Sequence, residues 1–352
     1  MVFSDEIILW YNQNKRDLPW RTTSSPYKIW LSEIILQQTR VNQGLPYYYN
    51  FLEKFPAIED LAAAEEQEVL KLWQGLGYYS RARNMHKAAK QIAFDLKGEF
   101  PTNKKKLLDL KGVGEYTASA IASFCFNEAA AVVDGNVYRV ISRFFGLDTP
   151  IDSTEGKKMF NAIAHEQLNS EQPALHNQAI MEFGALQCIP KNPQCINCPL
   201  QQECYALKNK LVDKLPKKSK KIKQKSRFFY YLDLRYDSLT YLIKRGKKDI
   251  WENLYEFPMI ETNTETEIDE VLNSDAFNSY GFQGVIIEEV LKLKNHKLSH
   301  QVLHPNIIRL RLTAPPKNSK FITINKDKIH LYPTHRLMEN YLKTLDANNY
   351  ES

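Results

Sequence analysis

The chain has 352 residues, of which 43% are hydrophobic, 25% charged and 12% aromatic. With 13 glycines and 16 prolines, these proportions exclude a collagen-like protein, a coiled coil, a low-complexity disordered chain and a disulfide-rich miniprotein. No apolar run reaches the roughly 18 residues that a membrane helix requires, and the acidic, interrupted N-terminus lacks the pattern of a signal peptide. The sequence therefore predicts a soluble, cytoplasmic protein of about two domains.

The net charge of +6 is concentrated in one segment. Residues 1–207 carry 21 Lys and Arg against 23 Asp and Glu, residues 208–227 carry 10 against 1, and residues 228–352 carry 16 against 17. The middle segment is rich in lysine and poor in large apolar residues, which is typical of a solvated linker. A polybasic segment that binds an anionic partner such as DNA, without reading its sequence, is the other interpretation. Charge alone leaves both open.

The predicted elements change in character along the chain. Apolar residues recur every three or four positions in three early segments, which predicts helices. These segments are residues 58–73, 82–96 and 115–126. After residue 227, short and partly alternating segments predict strands. They are Phe228–Leu234, Thr240–Lys244 and Asn306–Thr313. We therefore expect a mainly α-helical domain over residues 1–207, a basic linker over 208–227 and an α+β domain over 228–345.

Two carboxylates of the helical part have the properties of acid–base groups. Ser25 and Pro26 favour the start of a helix, and Glu33 lies on a mostly apolar face of that helix, where burial would raise its pKa. Asp134 follows a short apolar run and precedes a glycine. The alternatives are a buried structural glutamate and a helix-capping aspartate. Together, an acid that protonates a leaving group and a carboxylate that faces a cationic sugar suit the cleavage of a glycosidic bond.

Residues 107–121 predict a tight connection between two helices. In LKGVGEYTA, an apolar helix is expected to end at Gly112, Val113 to point inward and Gly114 to open the next helix. Glycines allow the backbone to approach a partner closely, and the free N–H groups of a helix N-terminus favour an anion such as a phosphate. An ordinary helix–glycine–helix connection is the alternative.

Four of the five cysteines lie within seventeen residues. They are Cys188, Cys195, Cys198 and Cys204. In a cytoplasmic protein, cysteines this dense predict a metal site rather than disulfides. Four thiolates suit a zinc ion or an iron–sulfur cluster, and the spacing, with one short loop between two longer ones, favours the cluster while leaving zinc open. Cys125, in an apolar run, is expected to be a buried small apolar residue.

These motifs, in this order, resemble the helix-hairpin-helix, iron–sulfur DNA glycosylases, and among them the MutY-type adenine DNA glycosylases, which remove adenine paired with 8-oxoguanine. The resemblance covers almost the whole chain. It is carried by PWR at 19–21, WLSEIILQQTRV at 30–41, LWQGLGYYSRARNMHKAA at 72–89, LKGVGEYTASAI at 110–121, VVDGNVYRV at 132–140, the four cysteines, WENLYEFP at 251–258 and LSH at 298–300. It implies a helix-hairpin-helix catalytic domain with a [4Fe-4S] cluster loop at 188–204, followed by a Nudix-like α+β domain that recognises the mismatch.

The resemblance also implies roles for the residues that match family motifs. Glu33 matches the acid that protonates adenine at N7, and Asp134 matches the carboxylate that stabilises or transiently bonds the sugar C1′. The groups that organise the catalytic centre are Tyr116 and Asn136. The residues that line the pocket for the extruded adenine are Trp20, Arg21, Leu36 and Gln178. The residues that contact DNA or 8-oxoguanine are Gln38, Thr39, Leu76, Tyr78, Gly112, Gly114, Ser299 and His300.

A cofactor and a partner follow from the same resemblance. The four cysteines match the ligands of a [4Fe-4S] cluster. The partner is double-stranded DNA that contains adenine opposite 8-oxoguanine or opposite guanine. We expect a monomer at the nucleoid of a bacterial cytoplasm, with no membrane partner.

The chain departs from the family pattern at two positions, and other functions compete. Lys111 stands where the family often has proline, and Leu298 where phenylalanine is common. The main alternative is an endonuclease III-like glycosylase/lyase for damaged pyrimidines, which requires a lysine where this chain has Tyr116, and a tyrosine cannot form the imine. A catalytically inactive mismatch sensor is disfavoured by the two carboxylates. A nucleotide hydrolase is disfavoured because no stretch resembles the metal-binding Nudix motif.

Overall fold

The computed structural model describes residues 3–219 and 224–348, and it consists of two units. The first, called here the helical unit, contains Met1–Ala63 and Asn84–Lys220. The second, the sheet unit, contains Ala64–Arg83 and Lys221–Ser352. In the part of the chain that the structure describes, no helix is long and apolar enough to cross a membrane.

Most of the helices belong to the helical unit. In chain order they are α1 (Phe3–Asn14), α2 (Pro26–Leu36), α3 (Val41–Lys54), α4 (Ile58–Ala63), α5 (Glu66–Leu72), α6 (Ser80–Lys90), α7 (Lys104–Leu107), α8 (Glu115–Phe126), α9 (Gly135–Phe145), α10 (Thr154–Glu166), α11 (Pro173–Leu186), α12 (Tyr205–Lys208), α13 (Ile268–Leu272), α14 (Asp275–Asn278) and α15 (Arg336–Asn348). Helices α5 and α13–α15 belong to the sheet unit, and α6 begins in the sheet unit and continues in the helical unit. A π-helical turn, Gln91–Asp95, follows α6.

Helix α2 begins where the sequence predicts. Ser25 is its N-cap, with a side-chain oxygen that accepts the backbone N–H of Lys28, and Pro26 occupies the first turn. This cap satisfies an N–H that has no partner within the helix. Helix α8 likewise has Gly114 as its N-cap, as expected for the second helix of the hairpin.

Two predicted helices differ from the structure. Residues 58–73 form α4 and α5 rather than one helix, because Glu65 and Glu68 make a capping box that starts α5. The helix before the hairpin was expected to end at Gly112 but ends at Leu107. Residues 108–112 form turns instead, and Gly112 has a φ of +78°, which a right-handed helix does not allow.

The core of the helical unit joins the first helix to two helices from later in the chain. Ile7 of α1 packs in one buried cluster with Val137 and Ile141 of α9 and with Ile180 and Phe183 of α11. Because a buried helix is held along its length by such contacts, its N-terminus and its partly exposed face are fixed in position. The cluster therefore orients the start of α9 and the inward face of α11, where several candidate site residues lie.

The sheet unit contains one mixed sheet. Its strands are β1 (Lys225–Tyr236), β2 (Leu239–Lys244), β3 (Tyr255–Glu256), β4 (Met259–Thr262), β5 (Val285–Lys292), β6 (His296–Lys297), β7 (Gln301–Leu312) and β8 (Ile322–Asn325). The order is β3-β2-β1-β7-β5, with β4 paired to β1, β6 to β7 and β8 to β2. The central strands β1 and β7 run parallel, with Tyr231 opposite Ile307. The strands predicted at 228–234, 240–244 and 306–313 lie within β1, β2 and β7, apart from residue 313.

Both faces of the sheet are covered, which explains why β1 is apolar almost throughout. Phe229 and Tyr231 pack in a cluster with Leu337 and Tyr341 of α15. Tyr230, Leu232 and Leu234 belong to a second cluster that includes Val271 of α13 and Phe277 of α14. Alternate side chains of a strand point to opposite faces, so a central strand covered on both sides has few polar positions.

The segment Ala64–Arg83 belongs to the sheet unit although it lies far from the strands in sequence. Asn253 Nδ2 donates to Glu66 Oε1 at 2.6 Å, and the Tyr255 hydroxyl donates to Gln67 Oε1 at 2.9 Å. Further along the segment, the Tyr79 hydroxyl donates to the carbonyl of Thr334 at 3.2 Å. Polar contacts therefore join this segment to the unit at several positions.

The predicted linker over residues 208–227 is divided between the two units. Up to residue 219 it belongs to the helical unit, where Leu215 is buried and Lys217 Nζ lies 2.8 Å from Asp148 Oδ2. From Lys225 it forms strand β1. Lysines 220, 221 and 223 of the predicted basic stretch lie outside the described residues.

Candidate active site

Glu33 is buried on α2, with 6% of its surface exposed. Burial raises its pKa to about 7, and the charge of Asp134 adds to this increase. A hydrogen bond with Tyr116 and the charge of Arg21 act in the opposite direction. A carboxyl with this pKa is partly protonated at neutral pH, so it can donate a proton to a bound group. The apolar face of α2 therefore buries Glu33 and raises its pKa, as the sequence led us to expect, and its role as the acid stays a prediction.

Asp134 is the N-cap of α9. Its Oδ1 accepts the backbone N–H groups of Asn136 and Val137, each at 2.8 Å, and its Oδ2 accepts the side-chain amide of Asn136 at 2.8 Å. Burial raises the pKa of Asp134, while these donors oppose the increase. The capping role that the sequence left as an alternative is present, and the same bonds also favour the carboxylate anion at a helix N-terminus.

Asn136 connects Asp134 to a residue that the sequence reading missed. Arg139 Nη2 donates to Asn136 Oδ1 at 2.9 Å, and Arg139 Nε donates to the carbonyl of Cys188 at 2.6 Å. Arg139 is 9% exposed and lies within the VVDGNVYRV motif, so a buried arginine among apolar residues of α9 was the pattern that could have identified it. A chain of hydrogen bonds thus runs from the candidate carboxylate to the first cysteine of the cysteine-rich loop.

Arg21 is held by a buried carboxylate that the sequence reading also missed. Glu182 of α11 is 1% exposed, and its Oε2 lies 2.7 Å from Arg21 Nη2 and 2.6 Å from Arg16 Nη2. Burial alone would raise the pKa of Glu182, but the hydrogen bonds from Arg16 and Arg21 lower it to about 2. Glu182 therefore stays ionised and fixes the orientation of the Arg21 side chain. The charge of Arg21 in turn lowers the pKa of Glu33. An acidic residue inside an apolar helix was the available sequence pattern.

The other predicted pocket residues lie in the same unit. The Tyr11 hydroxyl donates to Gln178 Oε1 at 2.8 Å, which orients the amide of Gln178. Trp20 contacts Tyr48 edge to face, with 5.2 Å between ring centroids. Leu36 is half-buried at the end of α2. Gln178 and Trp20 are thus each held by a neighbour on a helix.

The predicted DNA-contacting residues fall in both units. In the sheet unit, the Tyr78 hydroxyl and Ser299 Oγ are 2.8 Å apart, although 221 positions separate them in sequence. Tyr78 is exposed with a φ of +47°, and His300 is exposed beside Ser299. Leu76 is buried, with 7% of its surface exposed. In the helical unit, Gln38 is exposed with a φ of +56°, and Thr39 follows it.

The hairpin presents its two glycines to solvent. Gly112 and Gly114 are exposed, while Val113 between them is 7% exposed and points inward as predicted. A Cβ on Gly112 would stand 2.6 Å from Asn84 Cβ, so the turn lies directly against α6. The N-terminus of α8 follows at once, which leaves its first N–H groups available to an anion.

The four loop cysteines line one cavity together with Arg143 and Leu207. They are Cys188, Cys195, Cys198 and Cys204. Arg143 Nη1 donates to the sulfur of Cys188 at 3.4 Å. Among the residues that the structure describes, no three His, Cys, Asp or Glu side chains are close enough to hold a single metal ion. Four thiols around one cavity beside a cation are a donor set that fits an iron–sulfur cluster.

Comparisons with known proteins identify related sequences for both units. A family model described as HhH-GPD superfamily base excision DNA repair protein matches residues 31–165, and a model described as NUDIX domain matches residues 230–344. The adenine DNA glycosylase of Buchnera aphidicola subsp. Schizaphis graminum (strain Sg) is 36% identical over 327 residues, which are 91% of each chain. The adenine DNA glycosylase of Homo sapiens is 40% identical over 214 residues, 58% of this chain and 39% of that protein.

Solved structures resemble part of the chain. A thermostable thymine-DNA glycosylase matches with a TM-score of 0.55 and 31% identity, and the match covers 59% of this chain and 95% of that one. A non-covalent endonuclease III–DNA complex matches with a TM-score of 0.52 and 22% identity, over 59% of this chain and 94% of that one. The second likeness is one of fold.

Proposed function

This chain belongs to the adenine DNA glycosylases, base excision repair enzymes that remove adenine from DNA, and we propose from this premise how its own residues select and cleave their substrate. The substrate is double-stranded DNA in which adenine lies opposite 8-oxoguanine or guanine. The observation that carries the proposal is the buried Glu33. Burial, together with the charge of a second carboxylate, Asp134, raises its pKa to about 7.

Adenine inside a duplex is inaccessible, so it must leave the base stack and enter a pocket. We assign this pocket to Trp20, Arg21, Leu36 and Gln178. Glu182 and Tyr11 support it, because they hold Arg21 and Gln178 through the hydrogen bonds described above. Because these donors and acceptors are already held in place, orienting the base does not require the entropic cost of ordering them when it binds.

Cleavage then requires a proton and a counter-charge. Glu33 would protonate the adenine ring at N7, which neutralises the leaving group as the glycosidic bond breaks. Asp134 would stabilise the positive charge that develops at the sugar C1′, because three donors favour its anionic form and aim it from a helix N-terminus. Tyr116 tunes Glu33, and Asn136 orients Asp134.

Reading of the opposite base would belong to the sheet unit. Oxidation at C8 turns guanine N7 into a hydrogen-bond donor, and a serine hydroxyl can accept from it. Ser299 is held 2.8 Å from the hydroxyl of exposed Tyr78, so a hydroxyl and an aromatic ring stand side by side. His300 and Leu76 of the same unit are also assigned to contact with DNA. In the helical unit we assign that contact to Gln38 and Thr39 and to the hairpin, where the backbone N–H groups after Gly112 and Gly114 would bind a phosphate.

The four cysteines would hold a [4Fe-4S] cluster. This group supplies a rigid cross-link of the loop 188–204 and no acid–base chemistry toward adenine. Arg143 would support it through its hydrogen bond to the Cys188 sulfur. The division into residues 1–207, 208–227 and 228–345, the monomeric state and the nucleoid location stay predictions.

The endonuclease III-like alternative is not favoured. A lyase needs an amine nucleophile to form an imine with the sugar, and Tyr116 has none. The relatives that match over most of the chain are adenine DNA glycosylases.

Substitution of Glu33 by Gln tests the proposal. Glu33→Gln should slow single-turnover release of adenine from an A·8-oxoguanine duplex by about 100-fold or more, because general acid catalysis typically contributes that much. Its dissociation constant for the same duplex should stay within about threefold of wild type, since protonation is needed only in the transition state. The control is Glu171→Gln, which changes an exposed glutamate of the helical unit. Near-normal excision by Glu33→Gln would remove Glu33 from the acid role.

A further inference from the structure

The hairpin contains a turn over residues 110–113, and the backbone N–H of its second residue, Lys111, donates to the side chain of a distant residue, Gln91. The backbone N–H of Val113 donates to the carbonyl of Leu110 at 3.1 Å, and Gly112 has a φ of +78°. This combination defines a type II turn with Lys111 at its second position. That position favours proline, whose ring sets φ near −65° and leaves fewer unfolded states to lose. Lys111 lacks this restriction and carries a backbone N–H that the turn itself does not use.

Gln91 supplies a partner for that N–H. Its Oε1 accepts the Lys111 N–H at 2.8 Å across 20 residues of chain. Gln91 is the first residue of the π-helical turn Gln91–Asp95 that follows α6. π-helical turns are rare, and they occur frequently at functional sites.

Helix α6 itself contacts the next residue of the turn. A Cβ on Gly112 would stand 2.6 Å from Asn84 Cβ, so the turn is in close contact with the helix that leads to Gln91. Contact from Asn84 and a hydrogen bond from Gln91 together hold the turn at two successive residues. A turn without the proline ring is thereby kept in one conformation by its neighbours.

We propose that Gln91 is a positioning residue for DNA binding, because it holds the hairpin in the conformation that presents the N–H groups after Gly112 and Gly114 to a phosphate. The inference rests on the proposed DNA contact of the hairpin. Without the Gln91 acceptor, the hydrogen bond to the Lys111 N–H is lost and the turn can adopt other conformations. Apparent affinity then falls in proportion to the fraction of molecules that keep it.

Four single variants and one double variant test the inference. They are Gln91→Met, Lys111→Met, Lys111→Pro, Gly112→Ala and Gln91→Met combined with Lys111→Pro. Gln91→Met removes the hydrogen-bond acceptor at similar side-chain volume. Lys111→Met removes the side-chain charge and keeps the backbone N–H. Lys111→Pro removes both the charge and the N–H and introduces the proline ring that favours this turn position. The primary measurement is the dissociation constant for a fully matched duplex at fixed salt, because phosphate contacts do not depend on a mismatch.

Gln91→Met should weaken binding by about threefold to tenfold, the effect of losing one hydrogen bond. In the Lys111→Pro background the same substitution should have less than about a 1.5-fold effect, because no N–H remains to be bound. Lys111→Pro should bind at least as well as Lys111→Met. Single-turnover excision at saturating enzyme should be unchanged in Gln91→Met, which separates positioning of the backbone from chemistry.

The possible results distinguish the inference from the function on which it rests. Equal weakening by Gln91→Met in both backgrounds would overturn the inference, since Gln91 would then act elsewhere. A neutral Gln91→Met together with weaker binding by Lys111→Met would overturn the inference and leave the hairpin contact standing. If Lys111→Met and Gly112→Ala both bind normally, the hairpin does not contact DNA and both proposals fail.

Discussion

Burial of a carboxyl that ionises near neutral pH costs the folded state free energy, so Glu33→Gln is expected to stabilise the protein at alkaline pH. The pKa of Glu33 is about 7 in the fold, against an ordinary value of 4.5. A folded-state pKa that is raised favours folding while the group is protonated, and this advantage is lost as the pH rises from 4.5 through 7. At about 1.4 kcal/mol for each pH unit in that window, the variant gains almost nothing at pH 4, about 2 kcal/mol at pH 6 and about 3 kcal/mol at pH 8.

Calorimetric melting of wild type and Glu33→Gln at these three pH values measures the gain. For a unit of this size, about 3 kcal/mol corresponds to a rise in Tm of roughly 6–12 °C at pH 8. The titrating groups that do not interact with Glu33 are shared by the two proteins, so they cancel in the difference. Glu171→Gln, at an exposed site, should show a difference near zero at every pH. A Tm difference that does not change between pH 4 and pH 8 would refute the assignment of a raised pKa to Glu33.

Three further predictions concern the assigned site. Tyr116→Phe removes a hydrogen bond that lowers the pKa of Glu33, so the alkaline limb of the excision rate should move up by roughly 0.7 pH unit; a downward move contradicts the assignment. Ser299→Ala should reduce the ratio of excision rates on A·8-oxoguanine and A·G by about fivefold or more, and Tyr78→Phe should reduce it less; an unchanged ratio places the reader elsewhere. Cys198→Ser should lower the iron content and visible absorbance of the purified protein, whereas zinc in active wild type would argue against the cluster.

Local chemistry made several parts of the molecule predictable from sequence. The cap at Ser25, the apolar face around Glu33 and the capping position of Asp134 all depend on neighbours within a few residues. The alternating or apolar strands β1 and β7 were similarly readable, because each face of the sheet imposes a period of two. Burial of Glu33 followed from the same reasoning, since residues three and four positions away share its helix face.

Contacts between distant parts of the chain were not readable in this way. Glu182 binds Arg16 and Arg21 across more than 160 positions, and Arg139 reaches Cys188 across 49. Periodicity indicates which side of a helix is buried, but it does not indicate which distant polar group that side contacts. The same limit applies to Tyr78 and Ser299, which are joined only through the fold of the sheet unit.

The sheet unit draws on two separate stretches of polypeptide, and this has a consequence for inheritance and for truncation. The chain passes from one unit to the other at residues 63/64, 83/84 and 220/221. A deletion or recombination event near residue 225 would leave Ala64–Arg83 behind and remove Asn253 and Tyr255, the hydrogen-bonding partners of Glu66 and Gln67. A chimera that exchanges only the C-terminal third would thus join two mismatched surfaces of one folding unit. The two stretches are expected to be inherited together, and point substitutions at Ser299 are a cleaner test of lesion reading than removal of the C-terminal third.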